Sequence, residues 1–157
     1  MGSTSHAPTD QVSAIMSTKV VTTTTTETVG NALRKMVKQK IGSIVVVEKR
    51  KPVGILTERD ISIKVAKAQS LRGLLVKRMM SKPLITVGPS MDIWDAVEQM
   101  IRKDIRRLPV IGEGKLIGMV TERDILRWLL ITAYDPNIPE DLKKLLETRA
   151  QAHSIVG

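Results

Sequence analysis

Cysteine is absent from the 157 residues. That excludes disulfides, thiol nucleophiles and thiolate-held metals together, and it fits a cytoplasmic location. Phenylalanine is absent as well, and aromatic residues total 2%. The core must therefore be built from Val, Ile, Leu, Met and Ala, and the aromatic platforms on which single-stranded nucleic acid stacks are nearly excluded. Histidine is limited to His6 and His153, both in terminal segments, so no fixed general base or metal cluster is expected. No apolar run approaches the ~20 residues that span a bilayer, and no membrane partner is expected. The stretch from Met1 to Asp10 is small and polar, without the apolar centre of a secretory signal. Gly-x-Ser-x-Gly, Walker A and His-Glu-x-x-His patterns are all missing, so the chain reads as a non-enzyme.

What is present suits a folded protein. Apolar residues make up 42% and charged residues 26%, with a net charge of +9. The excess of cations favours polyanionic partners such as nucleotides or nucleic acid; a charge-rich surface of a heat-adapted protein is the plainer alternative. The basic residues Lys35, Lys38, Lys40, Lys49, Arg50, Lys51, Lys77, Arg78, Arg102 and Lys103 are spread along the chain rather than gathered in one tract. Nucleic-acid binding through this surface stays open, although no helix-turn-helix, zinc or RNP signature accompanies it.

The chain repeats itself. Met16-Ser17 recurs as Met80-Ser81. The same interval carries Thr22 to Thr86, Ala32 to Ala96, Met36 to Met100, Ile41 to Ile105 and Gly54 to Gly118. It carries Thr57-Glu58-Arg59-Asp60-Ile61 onto Thr121-Glu122-Arg123-Asp124-Ile125 without a gap. Such an internal repeat sets the architecture before any single motif does.

Each copy reads in the same order. A short extended piece, Lys19 to Thr22 or Leu84 to Thr86, leads through a polar turn to an amphipathic helix. Val29, Ala32, Leu33, Met36 and Val37 follow the helical spacing, as do Ile93, Ala96, Val97, Met100 and Ile101. Thr28 and Ser90 or Asp92 suit the N-caps. Two strands follow, Ser43 to Val47 with Val53 to Leu56, and Leu108 to Ile111 with Leu116 to Val120, each pair joined by a hairpin. A second helix starts after Thr57 or Thr121. The expected fold is mixed α/β (α+β): two β-α-β-β-α units packed by pseudo-two-fold symmetry, plus a C-terminal helix. The boundaries read as a flexible tail over 1–11, a first motif over 12–68, a connector over 69–79, a second motif over 80–131 and an extension over 132–157. A short helix is expected in the connector through Leu71 to Met79, and a terminal helix over Glu140 to Arg149.

The chemistry gathers at the two second-helix starts. Asp60 and Asp124 each sit in the first turn of a helix, where the N-terminal field holds a carboxylate. Two carboxylate oxygens can accept from the vicinal hydroxyls of a ribose. Thr57 and Thr121, with the free helix amides, suit a phosphate. Arg59 and Arg123 add charge nearby, and Arg106 and Arg107 can reach phosphate as bidentate forks. The plainer alternatives are a capping-box variant for Thr-x-x-Asp and an exposed cationic pair at a strand entry.

These residues resemble the CBS domain, named after cystathionine β-synthase. The resemblance rests on Gly54-Ile55-Leu56-Thr57-Glu58-Arg59-Asp60, on Gly118-Met119-Val120-Thr121-Glu122-Arg123-Asp124 and on Arg106-Arg107-Leu108-Pro109-Val110-Ile111, and covers about Val12 to Ile131. It implies a tandem pair, or Bateman module, that binds AMP, ADP or ATP in clefts between the motifs, and less commonly S-adenosylmethionine. It implies no catalytic cofactor, a homodimer, and an enzyme or transporter regulated in trans. The helix residues Ala32, Met36, Ala96 and Met100 are the apolar surface expected to serve that dimer. By resemblance, Val20-Val21 and Leu84-Ile85 give apolar and main-chain contacts to an adenine; Gly42, Ser43 and Met119 are further expected nucleotide-binding residues. The first copy departs from the pattern: Gly42-Ser43 stands where the second has Arg106-Arg107, so unequal clefts are expected, with Thr121 and Asp124 in the tighter one.

Overall fold

A computed structural model describes residues 10–67, 69–131 and 139. The elements run α1 (Val12–Ile15), β1 (Thr22–Thr24), α2 (Val29–Gln39), β2 (Ser43–Glu48), β3 (Lys51–Thr57), α3 (Glu58–Ala66), a 3₁₀ turn (Val76–Arg78), α4 (Ile93–Lys103), β4 (Arg107–Gly112), β5 (Lys115–Thr121) and α5 (Glu122–Ile131). The duplication is carried into three dimensions: α4, β4 and β5 begin and end at the positions that the repeat interval assigns to α2, β2 and β3.

Local chemistry sets these limits. The Thr28 hydroxyl accepts from the Asn31 amide and starts α2; the Asp92 carboxylate accepts from the Trp94 amide and starts α4. Each side chain satisfies one of the amides that a helix leaves unpaired at its N-terminus. Both helices stop on a left-handed residue, Lys40 at φ 54° and Asp104 at φ 50°. Their next amides, Ile41 N and Ile105 N, donate back to Met36 O and Met100 O, each at 3.0 Å.

The chain gathers into two compact units, one holding residues 17–86 and 109–119, the other the described residues of 10–16, 87–108 and 120–131. In the first unit, β1 pairs in parallel with β2 and β2 antiparallel with β3, with Thr22 opposite Val45 and Ser43 opposite Thr57. The register shifts between Val46 and Val47, where Pro52 falls opposite Val47; a residue without an amide proton is accommodated at such an irregularity. Lys49 and Arg50 turn the β2–β3 hairpin at φ 48° and 66°. Left-handed conformation costs a side-chain-bearing residue ~1 kcal/mol. Glu113 and Gly114 occupy the same conformation in the second hairpin.

The core of this unit joins Val29, Ala32 and Met36 of α2 to Ile44 and Val46 of β2, Leu56 of β3, Ile61 of α3 and Val76. Each fully buried aliphatic side chain contributes about 1.5–3 kcal/mol. Val76 arrives from beyond the first copy: its amide donates to Glu27 O at 2.8 Å, and Lys77 N donates to Thr25 O at 3.2 Å. Ser81 and Ile55 exchange backbone bonds at 2.8 and 3.2 Å, so the Met80-Ser81 strip lies along β3. In the other unit the Trp94 and Trp128 rings meet edge to face, 5.1 Å between centroids, and Val12, Ile93, Ala96, Val97, Met100 and Ile125 are buried.

Several expectations are corrected. The first strand is Thr22–Thr24, later than Lys19 to Thr22. Leu84 to Thr86 forms no strand in the structure. The first copy opens its β1–β2 pairing with Val45 N donating to Val21 O; the second places Pro109 there, which has no proton to donate. The expected connector helix is reduced to the 3₁₀ turn Val76–Arg78, because Gly73 breaks the chain direction at φ 67°. Ala32, Met36, Ala96 and Met100 are all core residues, so they are not dimer surface. The large apolar side chains that do stand exposed are Val37, Ile63, Val65 and Leu126. The terminal helix over Glu140 to Arg149 lies outside the described residues.

Candidate functional site

Each Thr-x-x-Asp sits where a strand hands over to a helix. Thr57 ends β3 and caps α3. Its amide and its hydroxyl both donate to Asp60 Oδ2, at 2.9 and 2.7 Å, and the Asp60 amide donates back to Thr57 Oγ1 at 3.2 Å. Thr121 and Asp124 repeat the arrangement at 2.9, 2.7 and 3.3 Å. The capping-box alternative is therefore realised in both copies. It does not exhaust the carboxylate. An ionised carboxylate offers about four acceptor positions, and the box takes two, both on Oδ2. Oδ1 of each Asp accepts no donor from the described residues, and both residues are half-buried. In both copies the Thr hydroxyl donates to the Asp carboxylate.

Around Asp60 the structure brings together much of what the sequence singled out. Ser43 lies opposite Thr57, Glu58 N donates to Gly42 O at 3.1 Å, and Val45 N donates to Val21 O at 3.4 Å. The start of β1, the start of β2 and the end of β3 thus meet at one end of the sheet, with Val21, Gly42, Ser43, Thr57 and Asp60 on it. Val20, half-buried, leads into this end; Arg59 is exposed. Around Asp124, Glu122 N donates to Arg106 O at 3.0 Å, so Arg106, Arg107, Thr121 and Asp124 share the corresponding end of β4 and β5. Arg106 Nε stands 3.8 Å from Glu122 Oε2, both side chains well exposed. Such a surface pair contributes at most about 1 kcal/mol. Arg123 is exposed, and Leu84 and Ile85 are half-buried outside any strand. Met119 is buried mid-strand, exchanging backbone bonds of 2.9 Å with Ser17.

The sequence reading missed a cavity of about 470 Å³ at the opposite end of the first sheet, lined by Thr25, Glu48, Val53, Met80 and three cations, Lys77, Arg78 and Lys82. Comparing the two copies would have pointed to it, because the equivalent positions of the first copy, Ser13, Ala14 and Thr18, carry no charge. Among the described residues no group of three or more His, Asp or Glu could hold a metal ion, and no helix is long and apolar enough to cross a membrane.

The family model for the CBS domain matches residues 12–67 and again 76–131, and the chain belongs to that family. An uncharacterized protein of Methanopyrus kandleri is 42% identical over 134 residues, 82% of this chain and 66% of that protein. The CBS domain-containing protein YhcV of Bacillus subtilis is 35% identical over 111 residues, 70% of this chain and 79% of that protein. Among solved structures, CBSX2 in complex with AMP aligns with a TM-score of 0.68 at 26% identity, covering 77% of this chain and 96% of that one.

Proposed function

We propose that the chain is a non-catalytic regulatory module that binds adenine nucleotides, AMP foremost, at its two Thr-x-x-Asp helix starts. The observation that carries this reading is the open oxygen. In both copies the cap fixes the carboxylate through Oδ2 and leaves Oδ1 without a donor from the described residues. A carboxylate held rigid, half-buried and with two acceptor positions left is matched to the 2′,3′-diol of a ribose. The Thr hydroxyl then orients Asp rather than holding phosphate. Phosphate falls to Arg59 and Arg123, and in the second copy to Arg106 and Arg107, which can form charge-assisted forks. Val20-Val21 and Leu84-Ile85 supply the adenine contacts.

The AMP bound in the CBSX2 structure supports the choice of ligand. The Arg pair of the second copy, against Gly42-Ser43 in the first, makes one site tighter. The module acts as a cytoplasmic homodimer on an enzyme or transporter in trans, and exposed Val37, Ile63, Val65 and Leu126 supply apolar surface for assembly. A thermal-shift panel of AMP, ADP, ATP, S-adenosylmethionine and GMP tests the ligand. Ligand at a hundredfold excess over Kd adds about 2.7 kcal/mol, so AMP should raise the midpoint by several degrees and GMP should not. Equal shifts with AMP and GMP, or none with any adenosyl compound, would refute the reading.

A further inference from the structure

The cavity at the far end of the first sheet is built, not incidental. Glu48 ends β2 and Val53 lies near the start of β3, about 13 Å of strand from Thr57. The wall that faces them is a chain segment held on two sides. Lys77 N donates to Thr25 O and Ser81 N to Ile55 O, at 3.2 and 2.8 Å. Those bonds bracket Arg78 and Met80 and fix the backbone that carries Lys77 and Lys82. The approach is close enough that a Cβ on Gly54 would lie 2.9 Å from Ser81 O. Buried Thr25 donates its hydroxyl to Glu48 Oε1 at 3.2 Å.

The three cations of this end belong to one copy alone. The repeat pairs Lys77, Arg78 and Lys82 with Ser13, Ala14 and Thr18, and it pairs Glu48, Lys49 and Arg50 with Gly112, Glu113 and Gly114. The fold needs no cations here, since the second copy builds the same strands without them. Lys49 and Arg50 hold left-handed positions in the hairpin beside the cavity, where Gly114 serves the other copy.

We propose that this cavity is a second anion site, distinct from the Thr57–Asp60 end, for a small phosphorylated compound that also carries a hydroxyl or amino donor. Lys77, Arg78 and Lys82 meet the phosphate, Glu48 accepts from the donor, and Val53 and Met80 cover an apolar part. A volume of about 470 Å³ is in the range of small-molecule sites. A continuous nucleic-acid backbone is disfavoured because Glu48 would stand against its phosphates. The inference does not rest on the nucleotide reading.

Inorganic pyrophosphate is the probe, followed on the full chain by the ¹³C-methyl signal of Met80. Pyrophosphate should shift that signal saturably. Lys77→Ser with Arg78→Ser should weaken pyrophosphate at least tenfold and leave AMP affinity unchanged. Asp60→Ala with Asp124→Ala should weaken AMP and leave pyrophosphate unchanged, which separates failure of this site from failure of the other. Glu48→Gln should tighten pyrophosphate by removing a like charge, a gain that no loss of folding can imitate. An unmoved Met80 signal, wild-type pyrophosphate affinity in the Lys77/Arg78 variant, or a single-stranded oligonucleotide that shifts Met80 where pyrophosphate does not, would each overturn the proposal.

Discussion

The Thr57 hydroxyl and the Thr57 amide converge on one oxygen of Asp60, Oδ2, at 2.7 and 2.9 Å. The pair at Thr121 and Asp124 reproduces both distances. One residue thus serves two ends: half of its carboxylate starts a helix and the other half stays available. Stability and binding should therefore separate by substitution. Thr57→Ala removes the cap and should lower stability by about 1 kcal/mol, read from urea midpoints. Its effect on AMP should be smaller than that of Asp60→Ala, because Thr acts through Asp. Equal losses of AMP affinity in the two variants would place the Thr hydroxyl on the ligand.

Gly54 and Gly30 should respond in opposite directions. A Cβ at Gly54 would meet Met80 Sδ at 2.8 Å and Ser81 O at 2.9 Å, whereas nothing lies within 4 Å of one at Gly30. The Ser81 carbonyl is backbone bonded to Ile55 and cannot step aside cheaply. Gly54→Ala should cost about 1–3 kcal/mol, the range for overpacking. Gly30→Ala, within α2, should gain about 0.5 kcal/mol. Thermal denaturation of both variants checks the pair, and a neutral Gly54→Ala would mean that the Met80-Ser81 strip is not seated on β3.

Thr23 is a buried hydroxyl at 2% exposure with no hydrogen-bond partner among the described residues. An unpaired buried polar group costs about 1–3 kcal/mol, and Val has nearly its shape. Thr23→Val should raise stability by about 1 kcal/mol in urea unfolding. A loss instead would reveal a partner for the hydroxyl.

Glu27 gives a pH dependence. The Asn31 side-chain amide, at 2.6 Å, and then the Thr28 backbone amide hold its carboxyl below the usual value. A depressed folded-state pKa adds stability that is present above the unfolded value and is lost as pH falls through the folded one. Wild type should therefore exceed Glu27→Gln in stability at pH 7, and the difference should shrink through the acid range below about pH 4.3, the ordinary Glu value. A difference that stays constant down to pH 3 would contradict the assignment. The residue is only half-buried, so the effect is small.

Much of the fold was legible because the duplication let each copy check the other. The α2 and α4 periodicity, the two hairpins and the Thr28 and Asp92 caps are local features, and local chemistry decided them. The first strand of the second copy was not legible: Leu84 to Thr86 has strand-like composition, but the missing donor is Pro109, far along the chain. The helix residues expected to serve a dimer, Met36 and Met100 among them, are consumed by the core of their own unit, since periodicity gives a buried face without saying what buries it. At the site, Thr-x-x-Asp could be read as cap or as ligand, and the geometry allows both because a carboxylate has two oxygens. The far-end cavity was only half legible: comparison of the copies singles out Lys77, Arg78 and Lys82 by their charge, but their approach to β2 and β3 is set by the path of the chain between the copies, which no local pattern gives.

Titration calorimetry of AMP against wild type, Asp60→Ala, Asp124→Ala and the double variant tests the central claim most directly. Hydrogen bonds to a charged group contribute about 1.5–3 kcal/mol, roughly a 10- to 150-fold change in Kd. Wild type should bind AMP saturably with one site tighter than the other. Each single variant should lose one binding event while keeping a cooperative unfolding transition, Asp124→Ala losing the tighter one, and the double variant should lose both. Two equal sites in wild type would contradict the role given to Arg106 and Arg107, and a folded double variant that binds AMP with wild-type affinity would contradict the account as a whole.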